Sequence, residues 1–424
     1  MRSQGLYGKI DWLTVIIYAV IVIAGWLNIY AAVYDESAQT TLFSISTNAG
    51  RQFIFIIISF VVVGFIMIMD FRVLDTFSLI IYFLTMFLLV LVLFLARDIN
   101  GASSWLEIGS FRFQPSELAK IGTALALAKL ISMPSFKISE PIELVKAFLI
   151  ILLPIALVIL QRDMGTSLVF FALIFVLYRE GMNPWPIVLG MVVITIFTLT
   201  ILVEKIFLIG GAVVLFLLVL WVLKKTAKNI LLLLAGLFVV IGSVFSVDYA
   251  LNDVLSAYQR DRIQIVFNPN ADPLGRGWNI TQSKIAIGSG GFSGKGYLKG
   301  TQTKFDFVPE QSTDFIFCTI GEEHGFQGSA LLIALFLFFM IRIINIAERQ
   351  KWRFARTYGY AVACILFTHF AINIGMTLGL FPVIGIPLPF FSYGGSSLLS
   401  FSILLFILIK LDAHRDQLLE RGVS

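Results

Sequence analysis

The chain has 424 residues, 58% hydrophobic and 13% charged, with mean hydropathy +0.92 and a formal net charge of +5. Ordinary soluble domains carry roughly 25% charged residues, so this composition excludes a soluble globular enzyme and points to a polytopic membrane protein. The positive balance does not call for nucleic acid, because Lys and Arg gather at the ends of apolar runs, where they set membrane orientation. Cys318 and Cys364 both fall inside apolar runs, which leaves neither a disulfide framework nor a cysteine metal cluster. A transmembrane β-barrel is excluded as well: its strands alternate apolar and polar residues, and runs such as 54–69 do not.

The opening MRSQGLYGKIDW is short and basic and leads into a full-length span without a small-residue cleavage site, which reads as a retained first helix. Apolar runs then predict helices over 12–33, 52–69, 76–96, 115–132, 143–161, 164–179, 185–203, 206–223, 229–249, 315–342, 357–378 and 391–410, each bounded by a charge or a Pro/Gly cluster. The expected fold is an all-α polytopic membrane protein of about twelve transmembrane helices, with runs of a length that crosses about 30 Å of hydrocarbon. Lys9, Arg72, Lys137, Arg179, Arg342, Arg349, Arg353, Arg356, Lys410 and Arg415 then fall on one side, which the positive-inside rule assigns to the cytoplasm. Both termini are expected there, and the loop 250–314 between the helices 229–249 and 315–342 is expected outside.

In the loop that precedes Pro115, Trp105 suits an interfacial anchor and Arg112 adds a cation. Pro115 suits the first turn of the next helix, on which Glu117 and Lys120 stand three residues apart and can pair. An ionisable Lys120 at membrane depth is either a functional group or half of an ion pair that steadies the bundle. Asp163 in QRDMGTS has two readings: an N-cap for the helix opened by Met164, or a residue lining a central polar cavity.

One long polar stretch, 258–328, interrupts the apolar chain. In it Arg260, Arg262, Arg276, Lys284, Lys295, Lys299 and Lys304 alternate with glycines, and Asp306, Glu310 and Asp314 gather just before the next apolar helix. Either a long outer loop is simply exempt from the charge rule, or the cations hold a polyanion such as the phosphates of a lipid carrier. The run GSGGFSGKG is not a phosphate loop: Ser289 stands where that pattern needs Gly, and Lys295 is followed by Gly296 instead of Ser or Thr. It remains a basic glycine-rich loop able to wrap an anion with backbone N–H groups, or only a loop. His324, His369 and His414 are too scattered for a metal site and suit structural or surface roles. FPVIGIPLPFFSYGGSS, 381–397, reads as a re-entrant or cavity-lining turn, since irregular backbone at membrane depth needs protein or water around it.

Six stretches taken together resemble the SEDS family (shape, elongation, division and sporulation), nearer to its rod-elongation branch than to its division branch. They are SSWLEIGSFRFQPSELAK, QRDMGTS, YQRDRI with DPLGRGWN, QSKIAIGSGGFSGKGYLKGTQ, FVPEQSTDFIFCTIGEE and NIGMTLGLFPVIGIPLPFFSYGGSS, in the family's order and over most of the chain. The resemblance implies a single SEDS-type membrane domain over 1–424 with an extracytoplasmic catalytic loop at 250–314. It implies a peptidoglycan glycosyltransferase that polymerises lipid II at the outer face of the bacterial cytoplasmic membrane during cell elongation. Its implied partners are a class B penicillin-binding protein and other elongation-complex proteins. Asp314 matches the family's essential loop aspartate, Asp306 a second, commonly acidic position, and Arg112 and Lys120 basic positions beside the central cavity. Two features depart from the family: a helical pair, 185–223, inserted into a core of about ten spans, and Arg162 where Pro is common.

Polymerising lipid II requires a base for the attacking hydroxyl and cations for the departing diphosphate. Asp314 is the expected base, Arg112, Lys120, Arg260 and Arg262 the expected clamp, and a divalent cation such as Mg²⁺ or Mn²⁺ is compatible with the chemistry though no spacing demands one. Asp314 as a mere N-cap is the structural alternative. Two other classes of function fit a polytopic chain: a lipid II flippase and a non-catalytic scaffold.

Overall fold

The computed structural model describes residues 9–34, 41–96, 104–108, 111–222, 226–249, 253, 277–305 and 307–415. Helix α1, Trp12–Ala32, starts at Asp11, whose carboxylate accepts the Thr14 N–H at 3.1 Å. Thr47 caps α2, Asn48–Ile68, and a short α3, Phe71–Thr76, leads into α4, Ser78–Leu95. A two-stranded hairpin follows, β1 Leu106–Ile108 and β2 Phe111–Phe113, antiparallel with Glu107 opposite Arg112. Then come α5, Pro115–Ser132; α6, Pro141–Leu160; and the abutting α7, Met164–Phe171, and α8, Ile174–Arg179. The single expected helix 164–179 thus has a turn at Ala172 and Leu173, where both residues keep right-handed helical dihedrals.

Helices α9, Trp185–Leu202, α10, Lys205–Val222, and α11, Ala227–Tyr249, pack on one another, and Lys205 pairs with Asp248. They lie in one compact unit, 183–281; a second is formed by 1–182 with 282–424. The second unit is completed by α12, Trp278–Ser289, of which it holds Gln282 onward; α13, Ile316–Glu348; α14, Arg353–Thr377; and α15, Gly395–Ala413. Among the described residues each of the twelve expected runs is largely helical, the run 391–410 from Gly395 onward. Among the described residues, nine helices are long and apolar enough to cross a membrane.

Helix α5 is not one of the nine, yet it is largely enclosed: only Leu118, Lys129, Leu130 and Ser132 are not buried. Low hydropathy and enclosure have the same cause. A helix surrounded by α4, α6, α14 and α15 meets no lipid, so it can carry Glu117, Lys120 and a run of small residues that lets its neighbours approach. Ser400 of α15 donates to the Glu117 carbonyl at 2.6 Å and fastens the two central helices together.

Helix α13 was expected to begin at 315 and run unbroken. It is two helices joined at Gly325, whose φ of 62° no ordinary side chain adopts comfortably. The backbone N–H groups that should continue the helix turn outward: Phe326 donates to Gly291 O at 2.9 Å and Gln327 to Phe292 O at 3.1 Å. A Cβ at Gly325 would stand 2.8 Å from both carbonyl oxygens, so glycine is required by space as well as by dihedral.

At one end of this unit Asp11 bonds Arg342 and Arg349, Arg349 also bonds Asp412, and Glu180 takes Arg353 and Arg356. Arg353 also stands over the Phe136 ring. Residues assigned to one side of the membrane by the charge rule therefore meet in space.

Candidate active site

The site is built at the opposite end of α1 from Asp11. The turn Gln311–Phe315, which carries Asp314 into α13, is seated by side-chain amides from helices distant in sequence. Asn48 donates to Ser312 Oγ at 3.0 Å, Asn28 to the Ile316 carbonyl at 3.2 Å, and Gln311 itself to the Ala32 carbonyl at 2.8 Å. From below, Phe315 packs with Ala286, Val308 and Cys318 in a small core that Ile287 and Val383 extend.

The segment between α14 and α15 threads past this turn without regular structure, and its polar backbone groups are met one by one, as membrane depth demands. Ser392 Oγ donates to Thr313 O at 2.6 Å and accepts the Leu388 N–H at 2.9 Å. Tyr393 N–H donates to Ser312 O at 2.9 Å, and Gln52 bonds both Ser392 O and the Gly394 N–H. Asn373 Nδ2 reaches the Asp314 carbonyl at 2.8 Å and the Ile386 carbonyl at 2.7 Å. Gly385, at φ 69°, lies against the acid: a Cβ there would stand 3.3 Å from Asp314 Oδ2. Asp314 is half-buried, with its backbone fixed and its carboxylate facing this segment.

Beneath lies a second group of charges. Lys120 Nζ is 2.9 Å from Glu117 Oε1 and 2.8 Å from His369 Nε2, with the Phe401 ring at 4.7 Å, and its side chain is 0% exposed. The paired carboxylate and amine were legible from their spacing; the histidine was not. Lys120 is thus closed to solvent in this arrangement, enclosed as half of a buried ion pair. Asp163 caps α7, accepting the Thr166 N–H at 3.0 Å and its hydroxyl at 2.9 Å, and takes Gln114 Nε2 at 2.9 Å. It is a cap, and a half-buried one: desolvation pushes its carboxyl above the usual range, opposed by these bonds and by Lys120. Gly165 lies directly against the Ile384 carbonyl, so the Asp163 turn and the Asp314 turn both touch the 384–386 segment.

Arg112 sits on β2, with Nε 3.0 Å from Glu107 across the hairpin and a side chain 63% exposed. The structure therefore brings Lys120 and Asp163 within electrostatic reach of each other, joins both to the segment beside Asp314, and leaves Arg112 on the hairpin. Arg260, Arg262 and Asp306 lie outside the described residues. Among the described residues no group of three His, Cys, Asp or Glu side chains could hold a metal ion. Both Asp163 oxygens are engaged by protein donors.

An anion is wrapped just past the glycine-rich run 288–296, by N–H groups of 298–303, and the run itself adds only the Lys295 ammonium. Glu322 Oε1 takes the N–H groups of Thr301 at 2.7 Å and Gln302 at 2.8 Å and the ammonium of Lys295 at 2.6 Å. Glu323 Oε1 takes the Leu298 N–H at 3.1 Å. Arg162, the departure noted in QRDMGTS, closes α6 at φ 61°, with Asp163 N–H donating to Val158 O at 3.2 Å; proline cannot adopt that dihedral.

Comparison with known proteins places this geometry. The sequence profile of the FtsW/RodA/SpoVE family, described as "Cell cycle protein", matches residues 11–209 and 187–417. The peptidoglycan glycosyltransferase MrdB of Escherichia coli K12 is 37% identical over 344 residues, covering 78% of this chain and 78% of that protein. The peptidoglycan glycosyltransferase RodA of Treponema pallidum is 36% identical over 354 residues, covering 77% and 81%. Among solved structures, a chain of a peptidoglycan synthase complex, described as coordinating polymerization and crosslinking, matches with TM-score 0.71 at 27% identity over 96% of this chain and 99% of its own. Thermus thermophilus RodA matches with TM-score 0.61 at 25% identity over 96% and 97%. With twelve helical runs in the expected order and relatives matched over more than three quarters of its length, the chain belongs to the FtsW/RodA/SpoVE family, the SEDS proteins whose motifs it carries.

Proposed function

We propose that this chain is a peptidoglycan glycosyltransferase that polymerises lipid II during cell elongation, with Asp314 as the base. The relatives named peptidoglycan glycosyltransferases support the reaction class. The observation that carries the assignment is the seating of Asp314: a half-buried carboxylate at the foot of a polar loop, its turn held by Asn28, Asn48 and Asn373 from three helices. Fixing a base before the substrate arrives removes entropy and reorganisation from the barrier.

The GlcNAc 4-hydroxyl of one lipid II attacks the anomeric carbon of MurNAc in another. The new C–O bond forms as the C–O bond to diphosphate breaks, the hydroxyl proton goes to Asp314, and undecaprenyl diphosphate leaves with the electron pair. Arg112, exposed on its hairpin, is placed to meet an anion at the surface, with Arg260 and Arg262 as further cations of the clamp. Lys120 acts from beneath: its charge compensates Glu117 and favours an ionised Asp163. Asp306 is a further acidic residue of the same loop.

The clustering of cations at the Asp11 end supports a cytoplasmic location for that end and for both termini. Asp314 then faces the outer space of the bacterial cytoplasmic membrane, where the head groups of lipid II meet. The matched synthase complex supports a crosslinking partner, a class B penicillin-binding protein, together with other elongation proteins.

Asp314→Asn in purified protein with that partner is the test. Loss of glycan polymer on gels, with unchanged thermal unfolding, is expected. Undiminished polymer removes Asp314 from the mechanism, and transport of labelled lipid II across vesicles without polymer favours a flippase.

A further inference from the structure

Helix α14 presents two polar side chains one turn apart, His369 and Asn373, both buried. Both reach the irregular segment at consecutive carbonyls. His369 Nδ1 is 3.2 Å from Pro387 O, and Asn373 Nδ2 is 2.7 Å from Ile386 O. A carbonyl only accepts, so His369 Nδ1 carries the proton and Nε2 accepts from the Lys120 ammonium at 2.8 Å; the network assigns a neutral ring. Asn373 spends both amide hydrogens on carbonyls, the second on Asp314 O at 2.8 Å, while its own Oδ1 has no partner among the described residues. Holding Ile386 alone would need one donor. The second donor goes to the backbone of the residue whose carboxylate faces Gly385, one position from Ile386.

We propose that His369 and Asn373 are positioning residues for the glycosyl transfer: together they fix the 385–387 segment and the Asp314 backbone relative to each other, with His369 anchored in turn on Lys120. The proposal rests on the reading of Asp314 as the base. Neither side chain touches substrate; each acts through the geometry of the acid and of the backbone it faces. Errors of about 1 Å at a reacting group lower rates by about 100-fold, which sets the expected size of the effect.

The experiment measures kcat and KM for lipid II polymerisation by the full chain in complex with its transpeptidase partner, beside thermal unfolding. Asn373→Asp, isosteric but without donors, and Asn373→Ala are expected to lower kcat about 100-fold at unchanged KM. Added to Asp314→Asn, Asn373→Ala should cost nothing further. His369→Asn keeps an amide donor where Nδ1 stood and should retain a higher kcat than His369→Gln, which reaches the Nε2 position instead. If the Asn373 variants do not fold, the ordering of the two His369 variants decides. Wild-type kcat in Asn373→Ala beside an inactive Asp314→Asn, or equal kcat in the two His369 variants, overturns the positioning role alone. An active Asp314→Asn overturns the base assignment and the positioning role with it.

Discussion

Thr303 meets Glu322 twice: its backbone N–H lies 3.0 Å and its hydroxyl 2.9 Å from Oε2 of that carboxylate, which is 0% exposed. Successive N–H groups of a turn form a concavity for an anion, and here the anion is a side chain of α13. Hydrogen bonds to charged groups contribute about 1.5–3 kcal/mol each. Losing one such bond's worth of energy, about 2 kcal/mol, would open the local structure roughly 30-fold more often. Glu322→Gln should therefore speed amide exchange at 301–303 by about that factor, since the new NH₂ confronts N–H donors. Unchanged exchange would show that the loop is held by its glycine contacts instead.

Lys120 and Glu117 form a buried pair, and removing one partner from such a pair typically costs about 3–5 kcal/mol because a charge is left unmatched. Lys120→Met should lower the unfolding midpoint sharply, whereas Lys120→Met with Glu117→Gln should recover part of the loss. If the single variant unfolds with the wild type, the pair carries no such energy. The same comparison in polymerisation assays separates enclosure from direct contact with diphosphate.

Gly385 combines a φ of 69° with the 3.3 Å approach of Asp314 Oδ2. Gly385→Ala adds about 1–2 kcal/mol of backbone strain and crowds the carboxylate by a few tenths of an ångström. Polymerisation should fall by at least about ten-fold, more than the modest stability change would give, because small displacements at a reacting group are costly. Equal activity would mean that the acid relaxes freely away from this segment.

Asp11 supplies a pH dependence. Burial alone would raise its carboxyl, but the Thr14 N–H, Arg342 and Arg349 hold it at about 2 against an ordinary 3.8. A folded-state value below the unfolded one gives stability that is fully present above about pH 4 and lost as pH falls through about 2. Midpoints of wild type and Asp11→Asn should differ near neutrality and converge as the pH is lowered toward 2. Parallel profiles would show that the ion cluster does not stabilise the fold.

Much of this architecture was legible because membrane helices are written as apolar runs. The pair on α5 was legible because its partners are three residues apart. Helix α12 was not: WNITQSKIAIGS has no apolar run, and the burial of Ala286 comes from Val308, Phe315 and Cys318, which arrive from other parts of the chain. The break at Gly325 was hidden for the same reason, since EEHGFQG reads as helix until the Gly291 and Phe292 carbonyls compete for its N–H groups. By spacing alone His369 is one of three scattered histidines and Asn373 one polar residue in an apolar run. The first is explained by Lys120, 249 positions away in the chain, the second by Asp314, 59 positions away. A glycine-rich run suggests an anion nearby, but the N–H groups that hold Glu322 come from 301–303, after the run.

The seating of the Asp314 turn draws on segments made long before it and well after it. Asn28 and Gln52 emerge early from the ribosome, yet what they bond, Ile316 O and the Ser392–Gly394 backbone, is made 288 and 340 or more residues later. A nascent chain that ends after α13 therefore carries Asp314 without Asn373 and Ser392, which hold its turn. The turn is complete only once α14 and the segment through Gly394 have been made, so its assembly comes late in synthesis.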